Sequence, residues 1–288
     1  MIRFDYAEPE TLAEASAVLQ AHAGRASVLA GGTDLLVEIK EQLRRVHCVV
    51  NIKRIGGLDA LGFDARAGLH FGALTTARRI ELDASITQHY AGLHQAVREL
   101  GSIQVRNRAT VVGNICRASP SADTLPPLIA DGASIVIGDG ATTHEMLLED
   151  FFTGAGKTTL QTGQLVLAIK VPPPPPRTGR TYIKHGRRRA MELATVGIAV
   201  SVTLDDAGIC TQARIALGAV AATPIRAREA EAALQGRAID SRALADAAAL
   251  ALAASRPISN VRASAAYRRE MVGVLTRRAL EQALLTIR

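Results

Sequence analysis

The sequence predicts an α+β protein divided by a run of prolines, and three observations lead there. Short β-like runs alternate with helix-period stretches through the first half; five consecutive prolines stand in "VPPPPPRTG" at 171–179; and beyond them two long apolar runs precede two helical ones. With 288 residues the chain has room for two or three domains.

Taken in order, "TLAEASAVLQAHA" at 11–23 has the spacing of a helix, and "ASVLAG" and "CVVNIK" are apolar runs of strand length. These make a βαββ-like unit over 1–56, closed by the glycine pair inside "IKRIGGLDALGFD". The second unit, 57–176, contains the helical "GLHQAVREL" and the strands "ASIVIG" and "QLVLAIKV". Its end is set by the prolines, which cannot donate to a sheet or continue a helix and favour an extended connector. In the third, 177–288, "LATVGIAVSVTLDDAG" and "CTQARIALGAV" read as a hairpin turning at Asp-Asp-Ala-Gly. The helices "SRALADAAALALAAS" and "AYRREMVGVLTRRALEQALL" close the chain, the latter with Tyr267, Met271, Val274 and Leu275 on one face.

Composition narrows the function classes. Hydrophobic residues make up 48% and charged residues 21%, the usage of an ordinary globular protein. The net charge of +7 is not accompanied by a nucleic-acid motif, and five Phe, four Tyr and no Trp leave little for stacking on bases. The one dense basic run, "HGRRRA" at 185–190, reads either as a solvated turn or as a surface for an acidic partner. The start, "MIRFDYAEPE", shows no basic segment leading into an apolar one, and "LADAAALALAAS" is too short to span a bilayer, so a cytoplasmic location is expected. Cys48, Cys116 and Cys210 form no C-x-x-C pair, and the seven histidines show no metal-ligand spacing. Any redox role therefore requires an organic cofactor or a partner's metals.

Two segments could hold an anion. In "VLAGGTDLLVEIK", residues 28–40, an apolar run meets Gly31, Gly32 and Thr33 before a helix-like stretch; successive N–H groups can converge on one phosphate only where no Cβ obstructs. A plain tight turn reads equally from this segment alone. The second, "RNRATVVGNICRASPSADTLPPLIA" at 106–130, is rich in small and polar residues between apolar flanks, the profile of a loop packed into the protein. Gly113 permits close backbone approach, Thr110 and Asn114 offer hydrogen bonds, and Asp123 offers a carboxylate to ribose hydroxyls. Two such loops could hold both phosphates of a dinucleotide. No G-x-G-x-x-G supports a Rossmann fold. "FTGAGKTTL" imitates a phosphate-binding P-loop, but Phe151 stands where the motif needs its first glycine, so a glycine-rich surface turn is the better reading.

Five ordered stretches carry a resemblance: "LAGGTDLLVEIK", "TVVGNICRASPSADTLPPLIA", "LVLAIKVP", "YIKHGRRRAMELATVGIAV" and "SAAYRREMVGVLTRRAL". Together they resemble the FAD-binding medium subunit of the molybdenum hydroxylases, the family of xanthine dehydrogenase and aerobic carbon monoxide dehydrogenase, across practically the whole chain. The resemblance implies a vanillyl-alcohol-oxidase-type (PCMH-type) FAD fold of two subdomains, 1–56 and 57–176, with a C-terminal α+β domain, 177–288, built on a small antiparallel sheet. Carried onto matching positions, Val28, Leu29, Ala30, Gly31, Gly32, Thr33, Asp34 and Leu35 would wrap the pyrophosphate. Ala109, Thr110, Gly113, Asn114, Cys116 and Asp123 would complete the site, with Leu100 and Gly101 alongside. Val166 would pack near the flavin or adenine, and Lys184 would approach the isoalloxazine as a cation that raises its potential. Val112 stands where the family commonly has the first of two glycines, and Ala122 where a serine often precedes the aspartate.

The reaction so implied is electron relay. A large subunit with the molybdenum cofactor oxidises substrate, a small subunit passes electrons through [2Fe–2S] clusters, and FAD in this subunit delivers them to an acceptor such as NAD or a quinone. The expected assembly is a heterohexamer of two heterotrimers, and this chain supplies no catalytic acid or base and binds no metal. The alternative is a free-standing flavin oxidoreductase of the same fold.

Overall fold

The computed structural model describes residues 3–287, which fold around three main sheets. In the first unit, β1 (Asp5–Ala7), α1 (Leu12–Ala21), β2 (Ala26–Leu29), α2 (Leu35–Lys40) and β3 (Cys48–Asn51) alternate as βαβαβ. The sheet is parallel, in the order β1-β3-β2. β3 is central and buried along its whole length, so "CVVN" is continuously apolar up to its last residue instead of alternating. The sequence pattern predicts a βαββ-like unit with a helix-like stretch after the glycine turn, and that stretch is the short helix α2.

The second unit carries a five-stranded sheet in the order β4-β5-β10-β6-β7. Its strands are β4 (Leu61–Asp64), β5 (Gly68–Gly72), β6 (Ser134–Gly138), β7 (Thr143–Leu147) and β10 (Leu165–Val171), all antiparallel pairs. Between β5 and β6 the chain makes six short helices: α3 (Ala77–Leu82), α4 (Ala84–His89), α5 (Ala91–Arg98), α6 (Ile103–Arg106), α7 (Val111–Arg117) and α8 (Leu125–Ala130). Thr76, Asp83, Ser102 and Thr110 cap four of them through side-chain oxygens, so each start is specified locally. The P-loop imitation is a two-stranded hairpin, β8 (Phe152–Gly154) and β9 (Lys157–Thr158), turning through Gly156 at φ +70° with no helix after it.

Past the prolines, β11 (Thr178–His185), β12 (Val196–Leu204), β13 (Cys210–Gly218) and β14 (Ile225–Arg226) form an antiparallel sheet in chain order. One face is covered by α9 (Arg228–Leu234), α10 (Ser241–Ala254) and α11 (Ala265–Leu285), against which Val196, Ile198, Val200 and Val202 pack. The other face meets α5 and α8 of the second unit, where Ala199, Ala216 and Gly218 of the central strands are small while Arg180, Tyr182 and Arg214 reach across to polar groups of the second unit. A Cβ on Gly218 would fall 2.8 Å from Pro126 Cγ of α8, so glycine lets the helix seat directly on the sheet. Covered on both faces, β12 is buried over Val196–Val202, which explains its unbroken apolar and small-residue run.

The sequence-based face of α11 needs correction. Tyr267 and Val274 are exposed and Met271 is half-buried; the buried stripe is Arg268, Val272, Leu275, Thr276, Ala279, Leu280 and Ala283. Arg268 enters the core because its guanidinium caps loose carbonyls: Nη1 donates to Thr195 O at 2.6 Å and Ala219 O at 3.1 Å, and Nη2 to Asn260 Oδ1 at 2.8 Å. No helix among the described residues is long and apolar enough to cross a membrane.

Candidate functional site

The glycine turn after β2 and the loop leading into α7 meet. A Cβ on Gly31 would stand 2.2 Å from Arg108 O and 2.9 Å from the Ala109 Cα, so the two backbones touch where the side chain is missing. Gly32 serves differently: its φ of +77° turns the chain, and its absent Cβ clears Leu29 and Leu36. Along this bend the backbone N–H groups of Gly31, Gly32, Thr33, Asp34 and Leu35 donate to no acceptor among the described residues. In α7 the N–H of Gly113 is satisfied by Thr110 Oγ1 at 3.0 Å, and that of Asn114 by Thr110 O at 3.0 Å. Asn114 Oδ1 accepts from the Thr124 hydroxyl at 2.7 Å, which fixes the amide and leaves its NH2 without a partner among the described residues.

Between the two loops lies a cavity of about 530 Å³, within the ordinary range of cofactor sites. Of the positions singled out in the sequence, Val28, Ala30, Gly31, Gly32, Thr33, Asp34 and Leu35 line it from the first loop. Leu100, Gly101, Ala109, Thr110, Gly113, Asn114, Cys116, Asp123 and Val166 line it from the second unit. Leu29 does not: strand alternation turns it away from Val28 and into a small cluster with Ile39, Val46 and Val49. Neither does Lys184, which stands behind Asp123 on the wall of a shallower hollow shared with Glu99 and Arg187 to Arg189. Further cavity residues carry no signal in the sequence, among them Glu38, Arg44, Arg117 and the segment Met191 to Leu193 that reaches over from the β11–β12 connection.

The charges beside the cavity are paired. Lys184 Nζ lies 2.8 Å from Asp123 Oδ2 and donates to Glu99 O at 3.0 Å, while the Tyr182 hydroxyl donates to Asp123 Oδ1 at 2.8 Å. Burial pushes the Asp123 carboxyl up to about 6, against the downward pull of the Lys184 ammonium and the Tyr182 hydroxyl. The lysine therefore stands behind the cavity wall as half of an ion pair and not as a lone cation. Cys116 is half-buried and lines the cavity, and burial pushes its thiol up to about 12, so it is neutral and no nucleophile. Val112 turns into the core with Val111 and Ile115 while also lining the cavity.

These residues fit a dinucleotide diphosphate. Consecutive N–H groups without partners at a glycine bend form an anion-binding concavity, and the missing Cβ of Gly31 is what lets the second loop close on it. Among the described residues no group of His, Cys, Asp and Glu could hold a metal ion.

Comparison with known proteins gives a consistent picture. Residues 2–174 match the FAD binding domain in molybdopterin dehydrogenase, and residues 181–283 the CO dehydrogenase flavoprotein C-terminal domain. The xanthine dehydrogenase FAD-binding subunit of Escherichia coli O157:H7 is 30% identical over 98% of this chain and 97% of its own length. The carbon monoxide dehydrogenase medium chain of Afipia carboxidovorans is 32% identical over 97% of this chain and 96% of its own. Among solved structures, carbon monoxide dehydrogenase from Hydrogenophaga pseudoflava superposes with a TM-score of 0.95 at 32% identity, covering 100% of both chains.

Proposed function

The chain belongs to the FAD-binding subunits of the molybdenum hydroxylases, and from that premise we propose that it is the electron-transfer subunit of such a complex. The observation that carries the reading is the meeting of two loops around one cavity, with five unpartnered N–H groups on its first wall. When bound, FAD supplies the redox chemistry, receiving electrons from [2Fe–2S] clusters of a small partner subunit and yielding them to an acceptor such as NAD or a quinone.

The chain's own part is to bind, orient and exclude water. Gly31, Gly32, Thr33, Asp34 and Leu35 hold the diphosphate through backbone N–H groups, and Thr110, Gly113 and Asn114 close the site from the second loop. Leu100, Val166 and Cys116 supply apolar wall. Lys184 and Tyr182 fix the Asp123 carboxylate, so that carboxylate can accept a ligand hydroxyl without moving. In this reading neither Asp123, held by two donors, nor Cys116, a neutral thiol, serves as a general acid or base.

Substrate oxidation in this scheme belongs to a large molybdenum-containing subunit, and two heterotrimers associate in the cytoplasm as a heterohexamer. The relatives named as a carbon monoxide dehydrogenase medium chain and a xanthine dehydrogenase FAD-binding subunit support a subunit role. Co-expression with the large and small subunits, followed by purification on a tag carried by this chain, tests it. Molybdenum, iron and FAD should elute together; a yellow chain that elutes alone would instead be a free-standing flavin oxidoreductase.

A further inference from the structure

We infer that Arg44 and Arg117 form a second anion-binding element of the cavity, one that selects a ligand carrying a diphosphate over a flavin lacking it. This inference rests on the FAD reading above. Both guanidiniums line the same cavity as the glycine bend, yet they come from the turn after α2 and the last residue of α7. One carboxylate brings them together: Glu38, whose side chain is 14% exposed, lies 2.9 Å from Arg44 Nε and 2.7 Å from Arg117 Nη2. The backbone helps, since Glu38 O accepts the N–H groups of Leu43 at 2.8 Å and Arg44 at 3.2 Å.

Two cations against one carboxylate leave this cluster with a net charge of +1, on a wall that elsewhere carries Asp34 and the ion-paired Asp123 and Glu192. Glu38 engages Arg44 through Nε and Arg117 through Nη2, and the remaining guanidinium N–H groups have no acceptor among the described residues, so those donors remain available. A guanidinium presents up to five donors in a planar fork suited to phosphate oxygens. Their side chains are 45% and 38% exposed, which places them at the mouth, where a ligand would cover them. The glycine hairpin that imitates a P-loop supports this edge: Gly156 N–H donates to Ala118 O at 2.9 Å, and a Cβ there would lie 3.7 Å from Arg117 Nη1.

The test uses the full chain freed of cofactor, titrated by flavin fluorescence with FAD and with riboflavin, with ADP as competitor, across salt from about 50 to 300 mM. Relative to wild type, R44Q/R117Q should bind FAD and ADP about tenfold more weakly, as expected for lost charge-assisted contacts, with a shallower salt dependence. Riboflavin affinity should not change. R44K/R117K, which keeps both charges, should retain the salt dependence and gives a readout if the glutamine pair fails to fold. A double glutamine variant that matches wild type in FAD affinity and salt slope overturns the inference alone. A wild-type chain that takes up no FAD overturns the cofactor reading and this inference with it.

Discussion

Replacing Gly31 by alanine should separate the two loops and spoil the site while leaving most of the fold intact. The new Cβ would stand 2.2 Å from Arg108 O and 2.9 Å from both Arg108 C and Ala109 Cα, all backbone atoms that no rotamer change can move. Restoring an ordinary carbon–oxygen separation takes a shift of about 1 Å, and overpacking of this kind costs about 1–3 kcal/mol. The φ of Gly31 is not in the left-handed region, so this cost is steric and falls on the spacing between the loops. If that shift removes one charge-assisted hydrogen bond to the ligand, binding loses about 1.5–3 kcal/mol, or about 10- to 100-fold in Kd. The assay is FAD titration by flavin fluorescence alongside thermal unfolding. Gly24→Ala is the control: its φ of +79° carries strain, but nothing lies within 4 Å of the added carbon. A Gly31→Ala chain with wild-type FAD affinity would refute the claim that contact between these backbones builds the site.

Asp131→Asn should lower the melting temperature by about 10 °C, since breaking a buried pair costs about 3–5 kcal/mol; Arg180 Nε lies 2.6 Å from Asp131 Oδ1 with side chains 8% and 4% exposed, and a shift near zero would contradict it. Asp123 makes the cofactor-free chain's stability pH-dependent. Its folded pKa of about 6 lies above the ordinary 3.8, so its contribution is fully present below about pH 4 and is lost as pH rises through about 6. Asp131, also raised by burial, acts in the same sense. Denaturant melts of wild type and Asp123→Asn should show the variant with the flatter profile over that window, and identical profiles would count against the assignment. Cys116, with its thiol near 12, should resist iodoacetamide at about pH 8, and rapid alkylation read by mass spectrometry would show a thiolate that this cavity does not stabilise.

Much of this was legible in the sequence because the signals are local. "ASVLA" followed by Gly-Gly announces a strand and a turn, and "CVVN" and "SIVIG" are buried strands by composition alone. Chain pairing was not legible: the parallel order β1-β3-β2 depends on contacts between distant segments. At the site, glycine positions speak through the atoms they lack, so Gly31 and Gly113 could be nominated before any fold was known. Glu38, Arg44 and Arg117 could not, because their joint role exists only once residues up to 79 positions apart share one wall. In the sequence Lys184 reads only as a cation, because nothing local ties it to Asp123, which comes 61 positions earlier. On α11 the apolar periodicity pointed to Tyr267 and Val274, but the need to cap the carbonyls of Thr195 and Ala219 brings Arg268 inward in their place.

In the proposed function the chain itself, through the bend at Gly31–Gly32 and the loop at Thr110–Asn114, holds FAD. Calorimetric titration of the cofactor-free full chain with FAD tests it most directly. Saturable uptake of one FAD per chain is expected, with appearance of bound-flavin absorbance. A folded chain that shows neither heat nor retained colour would contradict it.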